Sequence, residues 1–485
     1  MTVSNRTRWL ALYVLCLGDL MIVLDGTIVN VALPSIRDDL GFSQTSLAWV
    51  VNAYILTFGG FLLLGGRLGD LFGHRRLFLA GIALFTLASL GCGLANSQEL
   101  LIIGRAVQGV GGAVVSAVAL SLLMTLFTET GDRAKAMGVF GFVMSGGGVV
   151  GVLAGGVLTD LLSWHWIFLV NLPIGVLVYV LSLRLLPAQR GPAATGNVDV
   201  AGAVTITSAL MLAVYAIFNG NDAGWTSAQT LGLLGTAAAL LGAFLLLESR
   251  VSSPLVPLDL FRNRNVSTSN VLGTLMAAGM FAYFFFSALY LQLVLEYSPL
   301  EVGLAYLPGT IVWGAASLLL SNKLVMKYGI KPPLLAGLGL MTIALLLLAR
   351  TPVDGNWATD ILPATLALGL GAGIAFNPIL LAAMSGVEQE RAGLASGVVN
   401  TAFMMGGAVG LAVLVSLAES RTNSLLASGM EELAALNGGY HVAFVVGAAF
   451  LIASAIVGGI LLQVEAPQAH GAEEAFAGAP ALETD

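Results

Sequence analysis

Three ionisable residues of this 485-residue chain lie inside long apolar stretches. Asp19 and Asp25 interrupt the apolar run that begins near Trp9, and Arg105 interrupts a later one. A charge inside a stretch that lies in lipid costs several kcal/mol, so each of the three is a candidate functional residue. Burial favours the neutral form of a carboxyl group, and a nearby cation favours its charged form. The chemistry that these residues predict is therefore the binding and release of a proton.

The spacing of these residues predicts where their side chains point if the stretches are helices. Asp19 precedes Asp25 by six positions, which places the two acids about 120° apart around a helix. We therefore expect Asp19 to face a different helix or the inner mouth of a cavity. Arg105 begins a stripe with Gln108 and two glycines at i+4 and i+7, and this polar, small face is expected to point into a bundle. The alternative for each charge is a permanent structural ion pair.

The elements that position these residues are predicted to be transmembrane helices. The chain is 57% hydrophobic and 10% charged, whereas a soluble domain carries about 25% charged residues. Charge-free stretches longer than the roughly 18 residues of a membrane span recur, for example at 40–66, 136–159 and 361–387. The pattern predicts an all-α integral membrane protein. Its fourteen transmembrane helices are centred on Met21, Leu56, Phe85, Ala113, Gly148, Val176, Ala209, Ala237, Gly279, Trp313, Leu340, Gly371, Gly406 and Phe450.

The basic residues predict the orientation of this bundle. Sixteen of the 20 Lys and Arg residues fall in segments that are inside if the N-terminus is cytoplasmic, three fall in the opposite loops, and Arg105 lies in a span. Cytoplasmic loops are enriched in these residues. The sequence therefore predicts a multi-pass protein of the inner cell membrane with both termini in the cytoplasm. The first span has no cleavage pattern, so we expect it to remain in the protein.

An internal repeat predicts that the chain has two halves. Residues 65–84 align with 321–340 at an offset of 256, and shorter matches follow at offsets of 258 and 259. Repeated halves with substrate bound between them are typical of transporters. We expect a six-helix half at 1–190, a linker with two inserted helices at 191–250, a second six-helix half at 251–464 and a disordered cytoplasmic tail at 465–485.

Three strings resemble motifs of the major facilitator superfamily. GRLGDLFGHRR (Gly66–Arg76) resembles the signature loop that the superfamily carries between spans two and three. LDGTIVNVALP (Leu24–Pro34) is similar to the signature of the fourteen-helix drug:proton antiporter family, and GRAVQGVGGA (Gly104–Ala113) resembles a motif whose arginine is implicated in proton coupling. The resemblance implies a major facilitator fold in which Asp25 and Arg105 couple transport to protons.

The signature loop resembles a conformational latch. In the family this loop pins two helix ends together in one state and releases them in the other. The resemblance carries this role to Gly66, Arg67, Asp70, Gly73 and Arg75. The alternative is that the basic residues of the loop only set the orientation of the bundle.

A fifth-span motif of the antiporters is present in part. Gly151, Gly155 and Gly156 match its glycines, which predicts close packing of helices through small faces. Val152 stands where the family has a proline. A bend supplied by proline is therefore not expected at this position.

Substrate contacts are expected from aromatic and amide side chains in the spans. Aromatic rings stack on planar molecules and attract cations, although such rings could also face lipid. Amides could line a cavity or form hydrogen bonds between helices. The candidates are Trp313, Tyr283, Tyr290, Asn52, Asn377, Asn400 and Gln108.

Together these features predict proton-coupled efflux of small hydrophobic drugs or antibiotics, cationic ones included. We expect a monomer that uses the proton gradient, with no cofactor or metal, and the net charge of −7 predicts no nucleic-acid partner. An importer or symporter of a small solute is the alternative, although it would need more fixed polar contacts deep in the membrane. An enzyme or an ATP-driven pump is not expected, because the four His residues are scattered and no nucleotide-binding loop occurs.

Overall fold

The computed structural model describes residues 5–127, 129–186, 199–251, 254–385 and 387–463, and every regular element in these ranges is helical. Most of the predicted linker and the whole predicted tail lie outside the described residues. The long helices in these ranges are α1 (Asn5–Leu40), α2 (Gln44–Phe72), α3 (His74–Gly93), α4 (Gln98–Leu126), α5 (Thr130–Leu161), α6 (Trp166–Leu185, interrupted at Val170), α7 (Val200–Ala223), α8 (Ala228–Arg250), α9 (Arg264–Val294), α10 (Pro299–Tyr328), α11 (Lys331–Leu348), α12 (Trp357–Met384), α13 (Gln389–Ala427) and α14 (Glu432–Leu461).

These helices are long because lipid offers no hydrogen-bond partners, so each span must satisfy its backbone groups internally. Thirteen of the described helices are long and apolar enough to cross a membrane. The remaining one, α5, has 32 residues and an apolar described part at Val150–Leu161. Each predicted centre falls in its own helix, so the predicted fold of fourteen transmembrane helices is confirmed.

The internal repeat reappears in the way the helices pack. In the first half α1 packs on α5 and α6, and in the second half α9 packs on α13 and α14. Likewise α2 packs on α4, and α10 packs on α12. Equivalent helices even begin alike, because Ser43 before α2 and Ser298 before α10 both form capping boxes. The bundle therefore consists of two six-helix halves with the same arrangement.

The two ends of the bundle are named here by their connections. The proximal face holds the start of α1, the turn between α2 and α3, and the end of α14; the distal face holds the connections from α1 to α2 and from α9 to α10. The halves meet along two equivalent seams, α2 with α13 and α5 with α10. At the distal face Gln292 Nε2 on α9 donates a hydrogen bond to the Val31 carbonyl on α1 at 2.8 Å. The structure therefore holds the halves together at this face.

The two inserted helices lie against one of these seams. Helix α7 packs on both α2 and α13, and α8 packs on α7. Thr207 of α7 fits against Gly60 of α2, where a Cβ atom would collide with the threonine hydroxyl. Near the distal face Asn221 Nδ2 of α7 donates to the Ser416 carbonyl of α13 at 2.8 Å. Helix α7 thus connects the two halves from outside.

Candidate functional site

The first half encloses an ion pair between Asp25 of α1 and Arg105 of α4. Arg105 Nη1 lies 2.5 Å from Asp25 Oδ2, and both residues are 1% exposed. The rest of the guanidinium is also held, because Arg105 Nε donates to the Val50 carbonyl of α2 at 2.9 Å. The ring of Tyr54 lies 4.3 Å from the guanidinium carbon and stabilises the cation further. The structure therefore brings together the two residues that the motifs indicated.

Neutral side chains complete the surroundings of the Asp25 carboxylate. Its Oδ1 accepts hydrogen bonds from Gln108 Nε2 at 2.6 Å and from Asn171 Nδ2 at 2.9 Å. Both amides also donate to Ser89 Oγ, at 2.6 Å and 3.1 Å. Arg105 Nη1 donates to Gln108 Oε1 at 2.7 Å. The carboxylate thus receives three donors from α4 and α6, and Ser89 of α3 links two of them.

The charge on Asp25 determines whether Arg105 keeps its counter-ion. A charged carboxylate is compensated by Arg105 and by two amide donors, so the buried pair is satisfied as it stands. A proton on Asp25 would remove the attraction and leave the Arg105 cation buried without its counter-ion, which costs several kcal/mol. Protonation therefore strongly favours a rearrangement around Arg105. A site with this property can couple proton binding to a movement of helices.

Asp19 is buried in the same half, but its surroundings differ. Ser116 Oγ of α4 donates to Asp19 Oδ1 at 2.7 Å, and Oδ2 has no hydrogen-bond partner among the described residues. Of the two alternatives predicted for Asp19, a different helix from Asp25 is wrong, because α4 supplies a partner to each acid; the inner mouth of a cavity stays a prediction. The long side chain of Arg105 reaches around to Asp25, whereas Ser116 meets Asp19 directly.

Aromatic side chains of the second half line a narrow crevice between α9, α10 and α12. Tyr283, Phe284, Tyr306 and Trp313 form its apolar walls, and Thr365 also lines it. Tyr306 is fixed by a hydrogen bond of 2.6 Å between its hydroxyl and that of Ser287. The cavity volume of the crevice is about 10 Å³, far below the roughly 300–1,000 Å³ of a drug-sized pocket. The crevice would have to widen to hold a whole drug.

Only some of the residues predicted to contact substrate line the crevice. Trp313 and Tyr283 line it, whereas Tyr290 is buried near the distal face and donates to the Pro352 carbonyl at 2.6 Å. Gln108 is fully buried in the Asp25 network and does not line the crevice; its contact with substrate stays a prediction. Tyr306 also lines the crevice. It was not among the predicted residues, although it is an aromatic residue of the same apolar span as Trp313.

The three predicted asparagines lie in different surroundings. Asn377 of α12 is half-buried, and its Nδ2 donates to Ser317 Oγ at 3.3 Å. Asn400 of α13 is half-buried as well. Asn52 of α2 is fully buried, and neither polar atom of its side chain has a partner among the described residues. None of the three contacts the crevice.

The predicted latch loop is mostly helix. Helix α2 continues through Phe72 and α3 begins at His74, so Gly73, with a φ of 92°, alone forms the turn. The interpretation of the whole motif as a loop is therefore wrong. Arg75 Nη2 donates to the Leu183 carbonyl at the end of α6 at 2.5 Å, and Gly66 and Arg67 lie on α2, with Arg67 exposed. The side chain of Asp70 lies outside the described part of the structure.

The predicted packing glycines lie where α5 meets other helices. A Cβ atom on Gly151 would collide with Thr27 Oγ1 of α1, and one on Gly155 would lie 2.7 Å from the Ile28 carbonyl oxygen. A Cβ atom on Gly156 would lie 2.7 Å from the Pro299 carbonyl oxygen at the start of α10. Gly156 therefore allows the two halves to approach closely at the distal face.

Asn171 and Ser89 are the members of the site that sequence reasoning missed. Both are neutral polar residues in apolar helices, and many such residues are buried in this protein without contacting a charge. The available signal is faint. Asn171 follows an apolar run at the start of a span and directly precedes Leu172-Pro173, so it meets the criterion that selected the other span amides.

Comparisons with known proteins agree with this fold. The family model described as the Major Facilitator Superfamily matches residues 15–411. Among solved structures, the nucleoside transporter NupG superposes with a TM-score of 0.67 and 13% sequence identity, covering 94% of this chain and 100% of that one. At this identity the likeness shows the fold alone.

Several curated relatives match nearly the whole chain. The puromycin resistance protein pur8 of Streptomyces alboniger is 39% identical, covering 94% of this chain and 91% of its own. The cephamycin export protein CmcT of Amycolatopsis lactamdurans is 38% identical, covering 95% and 94%. The lincomycin resistance protein of Streptomyces lincolnensis is 37% identical, covering 85% of each chain. With the family model, the fourteen helices and the repeated halves, these relatives show that the chain belongs to the Major Facilitator Superfamily.

Proposed function

We propose that this protein exports small hydrophobic antibiotics or drugs in exchange for protons. The single observation that carries the proposal is the enclosed Asp25–Arg105 pair, which lies inside a transporter fold. The names of the relatives support the direction of transport, since they describe resistance to puromycin and lincomycin and export of cephamycin. The proximal face is proposed to be cytoplasmic, as the basic residues predict.

In the proposed mechanism the two halves expose a central site to each face in turn. Proton entry supplies about 2.3 kcal/mol per 100 mV of membrane potential and about 1.4 kcal/mol per pH unit. A proton reaching Asp25 would free Arg105, and the helices that hold Arg105 would then rearrange. Asp19, with one unpaired buried oxygen, is proposed as a second place where the proton can rest.

The crevice of the second half is proposed as the part of the site that holds the drug. Its walls are aromatic faces, which bind planar rings and attract cations, and its polar groups are hydroxyls. A small apolar pocket with few fixed polar groups accepts several shapes, because little is lost when one apolar molecule replaces another. This chemistry fits hydrophobic drugs better than a hydrophilic nutrient.

The motif at the turn between α2 and α3 is proposed to act as the latch. Arg75 already joins the start of α3 to the end of α6, so a change at this turn would be transmitted to the helix that carries Asn171. Arg67 and Asp70 lie one helical turn apart on α2, near the same end.

The decisive experiment replaces Asp25 by asparagine. Asp25→Asn keeps the size of the side chain but cannot bind and release the proton, so we expect drug-dependent proton release from inside-out vesicles to disappear. Asp38→Asn, at an exposed acid at the distal end of the same helix, is the matched control and should leave transport unchanged. Both variants should insert normally, as measured by yield and monodispersity after solubilisation.

Two results would contradict the proposal. Full drug-dependent proton movement by Asp25→Asn would remove Asp25 from the coupling. Drug accumulation that requires the proton gradient and runs into the cytoplasm would instead indicate an importer. The direction is measured by comparing right-side-out with inside-out vesicles, each with and without a protonophore.

A further inference from the structure

The inserted helix pair carries two buried carboxyl groups at its proximal end. Asp199 precedes α7 and caps it, since its Oδ1 accepts a hydrogen bond from Gly202 N at 2.7 Å. Glu248 lies in the last turn of α8, and its Oε2 accepts from Val256 N at 3.2 Å. Asp199 is 5% exposed and Glu248 is 3% exposed. Each residue therefore uses one oxygen for a backbone donor and keeps the other inside the protein.

The two remaining oxygens face one another. Asp199 Oδ2 and Glu248 Oε1 have no donor among the described residues, and the two carboxyl groups are close enough to form a hydrogen bond with each other. Both oxygens flank Gly202, where a Cβ atom would collide with Asp199 Oδ2 and lie 3.0 Å from Glu248 Oε1. Two carboxylates in this position would repel each other, and neither oxygen can act as a donor unless it carries a proton.

No basic group described in the structure compensates the pair. The part of α2 that packs against the start of α7 and the segment after α8 is apolar, and it contributes Leu64 and Leu68 to this contact. Arg67 on α2 and Arg250 on α8 are exposed, and neither forms an ion pair with the two acids in the described part of the chain. Residues 254–256, which follow α8, carry no ionisable side chain. The side chain of Asp70 at the end of α2 lies outside the described part of the structure. A proton is the simplest group that satisfies both orphan oxygens.

We propose that Asp199 and Glu248 share one bound proton, and that this proton fastens α8 and the following segment to α7. The site is independent of Asp25, because it lies on the inserted helices rather than in the first half. The shared proton replaces repulsion between two carboxylates with a short hydrogen bond between an acid and a carboxylate.

The position of the pair gives the bound proton a structural consequence. Val256, which Glu248 holds through its backbone N–H, packs both on the cluster around Leu64 of α2 and on the cluster around Ala395 and Val398 of α13. These two helices form one of the seams along which the halves meet. The proton therefore stabilises a connection across the seam, and its loss at high cytoplasmic pH would loosen that connection.

Two isosteric variants of the full-length protein test the shared proton. Asp199→Asn keeps the helix cap, and Glu248→Gln keeps the acceptor for Val256 N, but each supplies an amide that donates without a bound proton. The folded wild type holds a proton that the unfolded chain releases, so its stability is greatest at low pH and falls as pH rises. We expect the wild-type melting temperature in detergent to fall by about 2 °C per pH unit more than that of either variant between about pH 5 and pH 7.

The control is Asp160→Asn, which removes an exposed acid at the end of α5 and should keep the wild-type pH dependence. Infrared spectra provide a second measurement, because the protonated carboxyl band of the wild type should weaken in each single variant. Gly202→Ala should separate the two carboxyl groups, lower the melting temperature and abolish the extra pH dependence. If the melting temperature of Glu248→Gln fell with pH as steeply as that of the wild type, the proposal would be overturned. A melting temperature that depends on the Na⁺ or K⁺ concentration instead of pH would overturn it as well.

Discussion

The two halves share one helix arrangement but have opposite interiors. In the first half the centre is a charged network in which Asp25, Arg105 and two amides satisfy one another. In the second half the centre is the aromatic crevice around Tyr306 and Trp313. At the repeat offset of 256 the position of Asp25 is taken by Phe281, and at 258 that of Arg105 is taken by Pro363. The two halves therefore share a helix arrangement, but the second half has uncharged residues at the positions of the ion pair.

This difference places the two tasks of the proposed transporter in separate halves. In this proposal proton binding belongs to the half with the buried ion pair, and recognition of an apolar substrate belongs to the half with the aromatic crevice. Coupling must then cross the contacts between halves, at the seams and at the distal bond from Gln292 to Val31. The second half also holds the π-helical turns of α9, α10 and α12, which are common at functional sites and permit local rearrangement.

The largest expected effect comes from breaking the pair in the charged half. Arg105→Gln leaves Asp25 buried without its cation, so we expect a loss of about 3–5 kcal/mol in unfolding free energy. The double variant Asp25→Asn with Arg105→Gln removes both charges and should recover most of that stability, but not transport. Unfolding of the purified proteins measures both effects as a double-mutant cycle.

The exposed ion pair of the second half is the control for this cycle. Arg391 Nη2 lies 2.8 Å from Asp259 Oδ2 near the proximal face, and both side chains are well exposed. Arg391→Gln should therefore cost less than about 1 kcal/mol. A double variant as unstable as Arg105→Gln alone would show that the cost does not come from an uncompensated charge.

The contrast between the halves explains how far sequence reasoning could reach. Asp25 and Arg105 could be found because a charge in an apolar stretch is rare and costly, and their motifs could be matched. The fourteen spans and the repeat followed from hydropathy and alignment. Ser89 could not be found, and Asn171 could be found only as one span amide among several, because the importance of both lies in their distance from Asp25 and not in their residue type.

The length of the Arg105 side chain explains why Asp19 does not face a different helix from Asp25, as the angular separation predicted. Asp19 and Asp25 are about 9 Å apart along α1, whereas Ser116 and Arg105 are about 16 Å apart along α4. The long arginine side chain makes up the difference, so one helix serves both acids despite their angular separation.

In the second half Tyr283 and Tyr290 looked equivalent in sequence, but a π-helical turn begins at Tyr290 and the tyrosine lies near the distal face. Helix irregularities of this kind change which face a residue occupies.

A smaller effect is expected from the amides of the two halves. Asn171→Ala removes a fully buried donor from Asp25 and Ser89, and should cost about 1–3 kcal/mol of stability. Asn377→Ala removes a half-buried amide whose bond to Ser317 is 3.3 Å long, and should cost about 0.5 kcal/mol. Thermal unfolding and drug-dependent proton release are measured for both. Equal effects would mean that the polar network around Asp25 is no more sensitive than an ordinary interhelical bond.

An effect on drug affinity, and not on stability, tests the aromatic half alone. Trp313→Ala removes one wall of the crevice and its contact with Phe284, so drug affinity should fall about tenfold, or about 1.4 kcal/mol. Proton binding should stay unchanged, because Trp313 lies in the other half from Asp25. Trp166→Ala, at a tryptophan that is 46% exposed on α6, is the matched control and should keep drug affinity. Equilibrium binding of a fluorescent drug to purified protein measures the affinity, and proton release without drug measures the charged site. If Trp313→Ala altered proton release and left drug affinity intact, the division of tasks between the halves would be wrong, because the aromatic half would then be part of the proton site.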